Sequence, residues 1–124
     1  MVIDLKGKHC LTTGATRGLG EVLARAFWDA GANLVLVGRS ANALDRVVND
    51  LGSRPGREAI PVPVDLSVPD AADQIVSFIR ARIPHMNVLI NNAAIQGPIG
   101  PLWKNDWSAW LSTLQVNLLS PVAL

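Results

Sequence analysis

Short apolar runs alternate in this sequence with stretches whose apolar residues recur every three or four positions. Cys10 to Thr13 is strand-like. After it, Leu19, Val22, Leu23, Ala26, Phe27 and Ala30 predict a helix with one apolar face, stopped by Gly31. Asn33 to Val37 is nearly all apolar, as a strand covered on both faces must be. Ser40 is placed to cap a second helix that buries Leu44, Val47, Val48 and Leu51, and Gly52 to Gly56 breaks it. Ala59 to Val64 reads as a third strand. Its Pro61 and Pro63 cannot donate to a ladder, which assigns it to a sheet edge. Ser67, with Asp70 three residues on, has the pattern of a capping box opening a third helix. That helix buries Ala71, Ala72, Ile75, Phe78 and Ile79, and Pro84 ends it. Asn87 to Ile90 is a short fourth strand, followed by the Gly- and Pro-rich loop Gln96 to Pro101. A last helix from about Asp106 sets Trp107, Trp110, Leu111, Leu114 and Leu118 on one side.

Strands alternating with helices predict an α/β fold, a parallel sheet built from βαβ units within one domain, residues 1–124. Composition narrows the function. With 49% hydrophobic and 17% charged residues the chain has the means to form a core and does not read as disordered. A net charge of +1, with the arginines scattered, removes the electrostatic basis for nucleic-acid binding. Cys10 is the single cysteine and sits inside an apolar strand, so a buried reduced thiol in a reducing compartment is expected. The segment Met1 to Lys8 lacks the long apolar region of a signal peptide, and no apolar run nears the roughly 20 residues that cross a bilayer. A cytoplasmic protein without membrane contact is therefore expected.

Chemistry concentrates in Thr13-Gly14-Ala15-Thr16-Arg17-Gly18-Leu19-Gly20, between the first strand and the first helix. A pyrophosphate needs backbone amides aimed at it, a positive helix end and no side chains in the way. Gly14 permits the turn off the strand, and Gly18 and Gly20 allow close approach of phosphate and packing of helix on strand. A glycine triplet alone also fits an ordinary turn. The strand before it, the amphipathic helix after it and the further βα units make it a dinucleotide loop.

Four segments in order, Thr13-Gly14-x-x-x-Gly18-x-Gly20, Asp65-Leu66-Ser67, Asn91-Asn92-Ala93-Ala94 and Asn117, resemble the N-terminal half of a short-chain dehydrogenase/reductase. The resemblance covers the whole chain and implies a Rossmann-type doubly wound sheet, incomplete, its first four strands in the order 3-2-1-4. It further implies an oxidoreductase passing hydride between a nicotinamide cofactor and a small carbonyl or alcohol, in a homo-oligomer. By the same resemblance Gly14, Thr16, Arg17, Gly18, Leu19 and Gly20 form the phosphate loop, and Asp65 contacts the adenine with Leu66 beside it. Asn91, Asn92 and Ala93 lie by the cofactor riboses. Asn117 matches the asparagine of a catalytic Asn-Ser-Tyr-Lys tetrad. The family motif usually ends in glycine where this chain has Ala94.

NAD-specific sheets usually carry an acid at the end of the second strand, on the ribose hydroxyls. Here that place reads Val37-Gly38-Arg39. Arg39 offers a forked donor to a ribose 2′-phosphate, and Arg17 could close on it from the other side, so NADP(H) is expected over NAD(H). The plainer alternative makes both arginines solvated surface charges.

The sequence has no tyrosine, so the family's proton relay cannot be completed within it. The 124 residues alone are expected to be inactive and to associate through the fourth strand, an unpaired edge, and the last helix. Three readings stand: the cofactor half of a complete reductase, a naturally short dinucleotide-binding sensor or partner protein, and a nonfunctional truncation product. His9 and His85 lack neighbours at metal-ligand spacing, so no metal site is expected. Trp107 and Trp110 suit packing or a subunit contact, and Trp103 could line a substrate pocket.

Overall fold

A computed structural model describes residues 3–124; Met1 and Val2, within the segment read for a signal peptide, lie outside the described residues. Strands β1 (His9–Thr13), β2 (Asn33–Gly38), β3 (Ala59–Pro63) and β4 (Val88–Ile90) form one parallel sheet in the order β3-β2-β1-β4. The helices between them are α1 (Gly18–Asp29), α2 (Ala41–Leu51) and α3 (Ala71–Arg80). After β4 come a 3-10 turn (Leu102–Lys104), α4 (Trp107–Leu114), a π-helical turn (Gln115–Leu119) and α5 (Ser120–Ala123). The doubly wound order expected from the sequence is the observed one, and the proline-bearing β3 is an edge strand. Among the described residues no helix is long and apolar enough to cross a membrane.

Side chains alternate across the pleat and divide the core in two. On one face Cys10, Leu34 and Leu36 pack under α1 and α2 through Ala24, Trp28, Leu44, Val47 and Leu51. On the other, Leu11, Val35, Val37 and Val62 meet Ala71 and Ile75 of α3 and Val116 of the π turn. Both faces of β2 are covered, which is why its sequence shows no polar alternation. Ser40 caps α2 as expected, its Oγ accepting from Ala43 N–H at 3.2 Å. Gly31 follows α1 at φ +99°, where a Cβ would also stand 3.2 Å from the Lys6 backbone.

Three local expectations need correction. The buried stripe of α1 is Gly20, Ala24 and Trp28, whereas Leu19 and Val22 are more than 60% exposed. Two stripes of that helix are apolar, and α1 sits on the sheet through the one that opens with the small residues Gly20 and Ala24. Trp28 completes that stripe by donating from its indole N–H to the Leu51 carbonyl at 3.0 Å. Second, Ser67 is not a helix cap. Its N–H donates to the Asp65 carboxylate at 2.9 Å in a turn, and α3 begins four residues later, after Pro69.

The third correction concerns the last helix, which is interrupted rather than continuous. Pro121 has no N–H to give the Asn117 carbonyl four residues earlier, and the chain widens there into the π turn. Most of the apolar side expected to pack is open: Trp107, Leu111, Leu114 and Leu118 are exposed, and Trp110 is half-buried.

Helices α1 and α2 are joined by charge. Arg46 forks onto both oxygens of Glu21 at 3.0 and 3.2 Å and meets Asp50 at 3.3 Å, while Arg25 reaches Glu21 at 3.2 Å. Hydrogen bonding from Arg46 holds the Glu21 carboxyl below its usual range. A depressed folded pKa means the contribution is complete above the unfolded value, 4.5, and is lost as pH falls through the folded one. Thermal denaturation of the chain and Glu21→Gln from pH 7 to pH 3 should show wild type more stable at neutral pH. The two curves should converge as pH falls through the folded pKa of Glu21, which lies below 4.5.

Candidate functional site

The β1–α1, β2–α2, β3–α3 and β4–α4 loops leave the same edge of the parallel sheet, at the C-terminal ends of the strands. Order reverses there between β1 and β4, and a crevice opens as in other doubly wound sheets. The cleft encloses about 370 Å³. Of the residues read from the sequence as cofactor-binding, Gly14, Thr16, Arg17, Gly18, Arg39, Asp65, Leu66, Asn92 and Ala93 line it.

The glycines divide their labour. Gly14 turns at φ +66°, with Ala93 Cα 2.9 Å from where a Cβ would stand, so β1's loop touches the loop after β4. Gly18 turns at φ +55° with open space where its side chain would be. Gly20 does not line the cleft: a Cβ there would overlap the Gly14 carbonyl and come 2.5 Å from Asn92 Nδ2. It is a packing glycine that lets α1 start against its own loop. Leu19 also stays outside, in the exposed first turn of α1.

Arg17 stands at the N-cap of α1 and makes no side-chain cap, so the first-turn amides face the cleft without a protein acceptor at that position. Uncapped amides, the positive helix end and the vacant side of Gly18 form a cradle of the kind a pyrophosphate fills. That cradle would be filled by a methyl at Gly18, and the residues present therefore fit a dinucleotide.

Thr13 was read only as part of the loop motif, yet it is the hub beneath the cleft. Its buried Oγ accepts from Asn92 N–H at 3.1 Å and Ala93 N–H at 3.0 Å. In return Asn92 Nδ2 donates to the Thr13 and Gly14 carbonyls at 3.0 and 3.2 Å. Asn91 points elsewhere, donating to the Pro121 carbonyl at 3.3 Å. Ala94 lines the cleft where glycine was anticipated, and no non-glycine among the described residues has positive φ, so its methyl brings no backbone strain.

Asn117 lies in the π turn, and its amide is used at both ends. Nδ2 donates to the Ile95 carbonyl and Oδ1 accepts from Ile95 N–H, each at 2.9 Å. It thus fixes the loop that forms the cleft's floor at Ile95. One turn on, buried Ser120 donates to the Leu66 carbonyl at 2.9 Å and ties α5 to the β3–α3 loop. Sequence reading missed Thr13 and Ser120 because their partners lie 54 to 80 residues away.

Asp65 and Arg39 face each other electrostatically at the far end. Bonds from Ser67, with a smaller contribution from the Arg39 charge, hold the Asp65 carboxyl below its ordinary value. Arg39 and Arg17 form no ion pair among the described residues. Gly38, Val64, Ser67, Ala94, Ile95 and Val116 complete the lining. Cys10 is buried outside it, and burial pushes its thiol pKa up.

A family model described as short chain dehydrogenase matches residues 8–124. A short chain dehydrogenase/reductase of Colletotrichum higginsianum is 34% identical over 120 residues, which cover 97% of this chain and 44% of that protein. A metagenomic short-chain oxidoreductase in complex with NADP superposes with a TM-score of 0.89 at 33% identity, over 97% of this chain and 54% of that one. L-sorbose reductase from Gluconobacter frateurii, complexed with NADPH and L-sorbose, gives 0.90 at 27% identity, over 100% and 47%. The chain thus spans about half the length of these proteins. Its sheet, its glycine loop and its matched length agree on one conclusion: the chain belongs to the short chain dehydrogenase family.

Proposed function

We propose that these residues form the cofactor-holding half of an NADP(H)-dependent oxidoreductase acting on a small carbonyl or alcohol, in the cytoplasm. The observation that carries the reading is the cleft itself, an uncapped helix N-terminus beside a vacant glycine, flanked by two unpaired arginines. When bound, the nicotinamide dinucleotide supplies the hydride acceptor or donor. The amides at the start of α1 bind its pyrophosphate, and Asp65 with Leu66 faces the adenine. Asn92 and Ala93 stand by the riboses, and Asn117 holds the Ile95 backbone under the nicotinamide end. No side chain among the 124 residues is a tyrosine, so by themselves they bind a dinucleotide without turning it over. NADP complexes among the related structures support the cofactor class.

Preference for NADP(H) rests on Gly38-Arg39. A carboxylate that would repel a 2′-phosphate is missing at the tip of β2, and a guanidinium lines the cleft in its place. Calorimetric titration should show tighter binding of NADP⁺ than NAD⁺. Arg39→Ala should weaken NADP⁺ about tenfold to a hundredfold, the loss of a charged hydrogen-bonding partner, while moving NAD⁺ little. Equal affinity for both dinucleotides in wild type would remove the preference, and binding of neither would remove the cofactor reading. A naturally short dinucleotide sensor is the second reading, favoured if the endogenous protein proves to have a mass of 13.2 kDa.

Association is proposed as well. Strand β4 is an edge, and Leu89 on it and Leu111, Leu114 and Leu118 on the last helix are each at least 40% exposed. Sedimentation of the 124-residue chain should show dimers or larger species at high concentration, and a strictly monomeric profile would contradict it.

A further inference from the structure

Arg46 lies on α2 outside the cleft, among the charges that join α1 to α2. A further donor of the same guanidinium leads to the site. Arg46 Nη2, besides meeting Glu21 at 3.0 Å, donates to the backbone carbonyl of Thr16 at 2.8 Å. Thr16 is the residue before Arg17 in the phosphate loop, and its carbonyl has no acceptor role in the helix that follows. On its other side Thr16 Cγ2 lies 3.0 Å from where a Cβ of Gly38 would stand, so the residue is held between the tip of β2 and α2.

We infer that Arg46 is a positioning residue for the cofactor loop and, through Arg17, a determinant of the preference for a 2′-phosphorylated dinucleotide; this rests on the cofactor reading above. The Thr16–Arg17 peptide is planar, so anchoring the Thr16 carbonyl also sets the directions of the Arg17 N–H and of the N–Cα bond from which Arg17 is built. Arg17 is extended at φ −161° and ψ 167°, and its side chain makes no cap bond of its own. The fork geometry matters as much as the charge. A guanidinium can meet the two Glu21 oxygens and still give one N–H to a carbonyl, whereas an ammonium has no fixed fork. Glu21 aims the guanidinium, Asp50 steadies its other edge, and Thr16 is the point where that bracing enters the cleft.

The test uses the 124-residue chain with Arg46→Met and Arg46→Lys. Hydrogen exchange is followed without ligand over residues 14–21, and NADP⁺ and NAD⁺ are titrated separately. Arg46→Met should speed exchange at Ala15 and Glu21, whose N–H groups bracket the loop and are bonded to the Val37 and Arg17 carbonyls, while the strands keep their protection. It should weaken NADP⁺ about three- to fivefold and NAD⁺ less than about twofold, the scale of one lost surface ion-pair anchor. Arg46→Lys should remain close to Arg46→Met, because charge without the fork does not restore the clamp. Unchanged loop exchange in Arg46→Met overturns the inference. So does equal weakening of both dinucleotides with faster exchange throughout α1 and α2, which identifies a helix-packing role only. If wild type binds neither dinucleotide, the cofactor reading falls separately, and loop exchange in Arg46→Met still decides whether Arg46 positions the loop.

Discussion

Gly20→Ala should be the most damaging glycine-to-alanine change in this chain. The new Cβ has nowhere to go. It would overlap the carbonyl of Gly14 and stand 2.5 Å from the amide of Asn92, a side chain already bonded to the Thr13 and Gly14 carbonyls. Relief requires α1 to back away from β1 or the Asn92 clamp to open, and either widens the loop. Overpacking of this kind costs about 3 kcal/mol, and dinucleotide binding should fall with it. Gly18→Ala is the contrasting control. Its Cβ meets nothing within 4 Å but sits at φ +55°, so about 1 kcal/mol of backbone strain is expected with a methyl placed in the phosphate cradle. Denaturant unfolding and cofactor titration of both variants should separate them. Gly20→Ala loses stability first, and Gly18→Ala loses binding while remaining folded. Equal stability of Gly20→Ala and wild type would refute the packing role.

Thr13→Val keeps the shape of a buried side chain and removes its hydroxyl. Ala93 N–H then loses its acceptor, while Asn92 N–H retains the Ile90 carbonyl at 3.1 Å. One buried donor left unpaired costs about 1–3 kcal/mol. The larger consequence is mechanical, because Thr13 Oγ joins the end of β1 to the loop that carries Asn92 and Ala93 into the cleft. Thermal unfolding should show the loss, and amide exchange should show it spread over residues 91–95. Thr13→Ser, which keeps the hydroxyl, should recover most of both. A valine variant as stable as wild type, with the loop still protected, would contradict this assignment.

These two sites show where sequence reading succeeded and where it stopped. Alternation of apolar strands with amphipathic helices was enough for the parallel sheet, and the prolines of β3 for its place at an edge, because periodicity and hydrogen-bonding capacity are local properties; the order 3-2-1-4 came from the family resemblance. The glycine spacing located the cleft for the same reason, since backbone freedom is a property of the residue. Ser67 misled because a hydroxyl followed by an acid fits a helix cap, while the competing bond to Asp65, two residues back, won in three dimensions. The interruption of the last helix did leave a trace, a proline four residues after Asn117, which removes the donor to that carbonyl.

By itself the sequence determined the α/β class, the parallel sheet, the position of the glycine loop and the residues standing at the tip of β2. Each of these follows from what a residue can do with its immediate neighbours. Tertiary structure alone decided which apolar stripe of α1 is buried, which loop glycine packs and which stays open, and what Thr13, Asn117 and Arg46 hold. Those choices depend on surfaces and hydrogen-bond partners brought together by the sheet from segments up to 80 residues apart, and no local pattern encodes a partner at that distance.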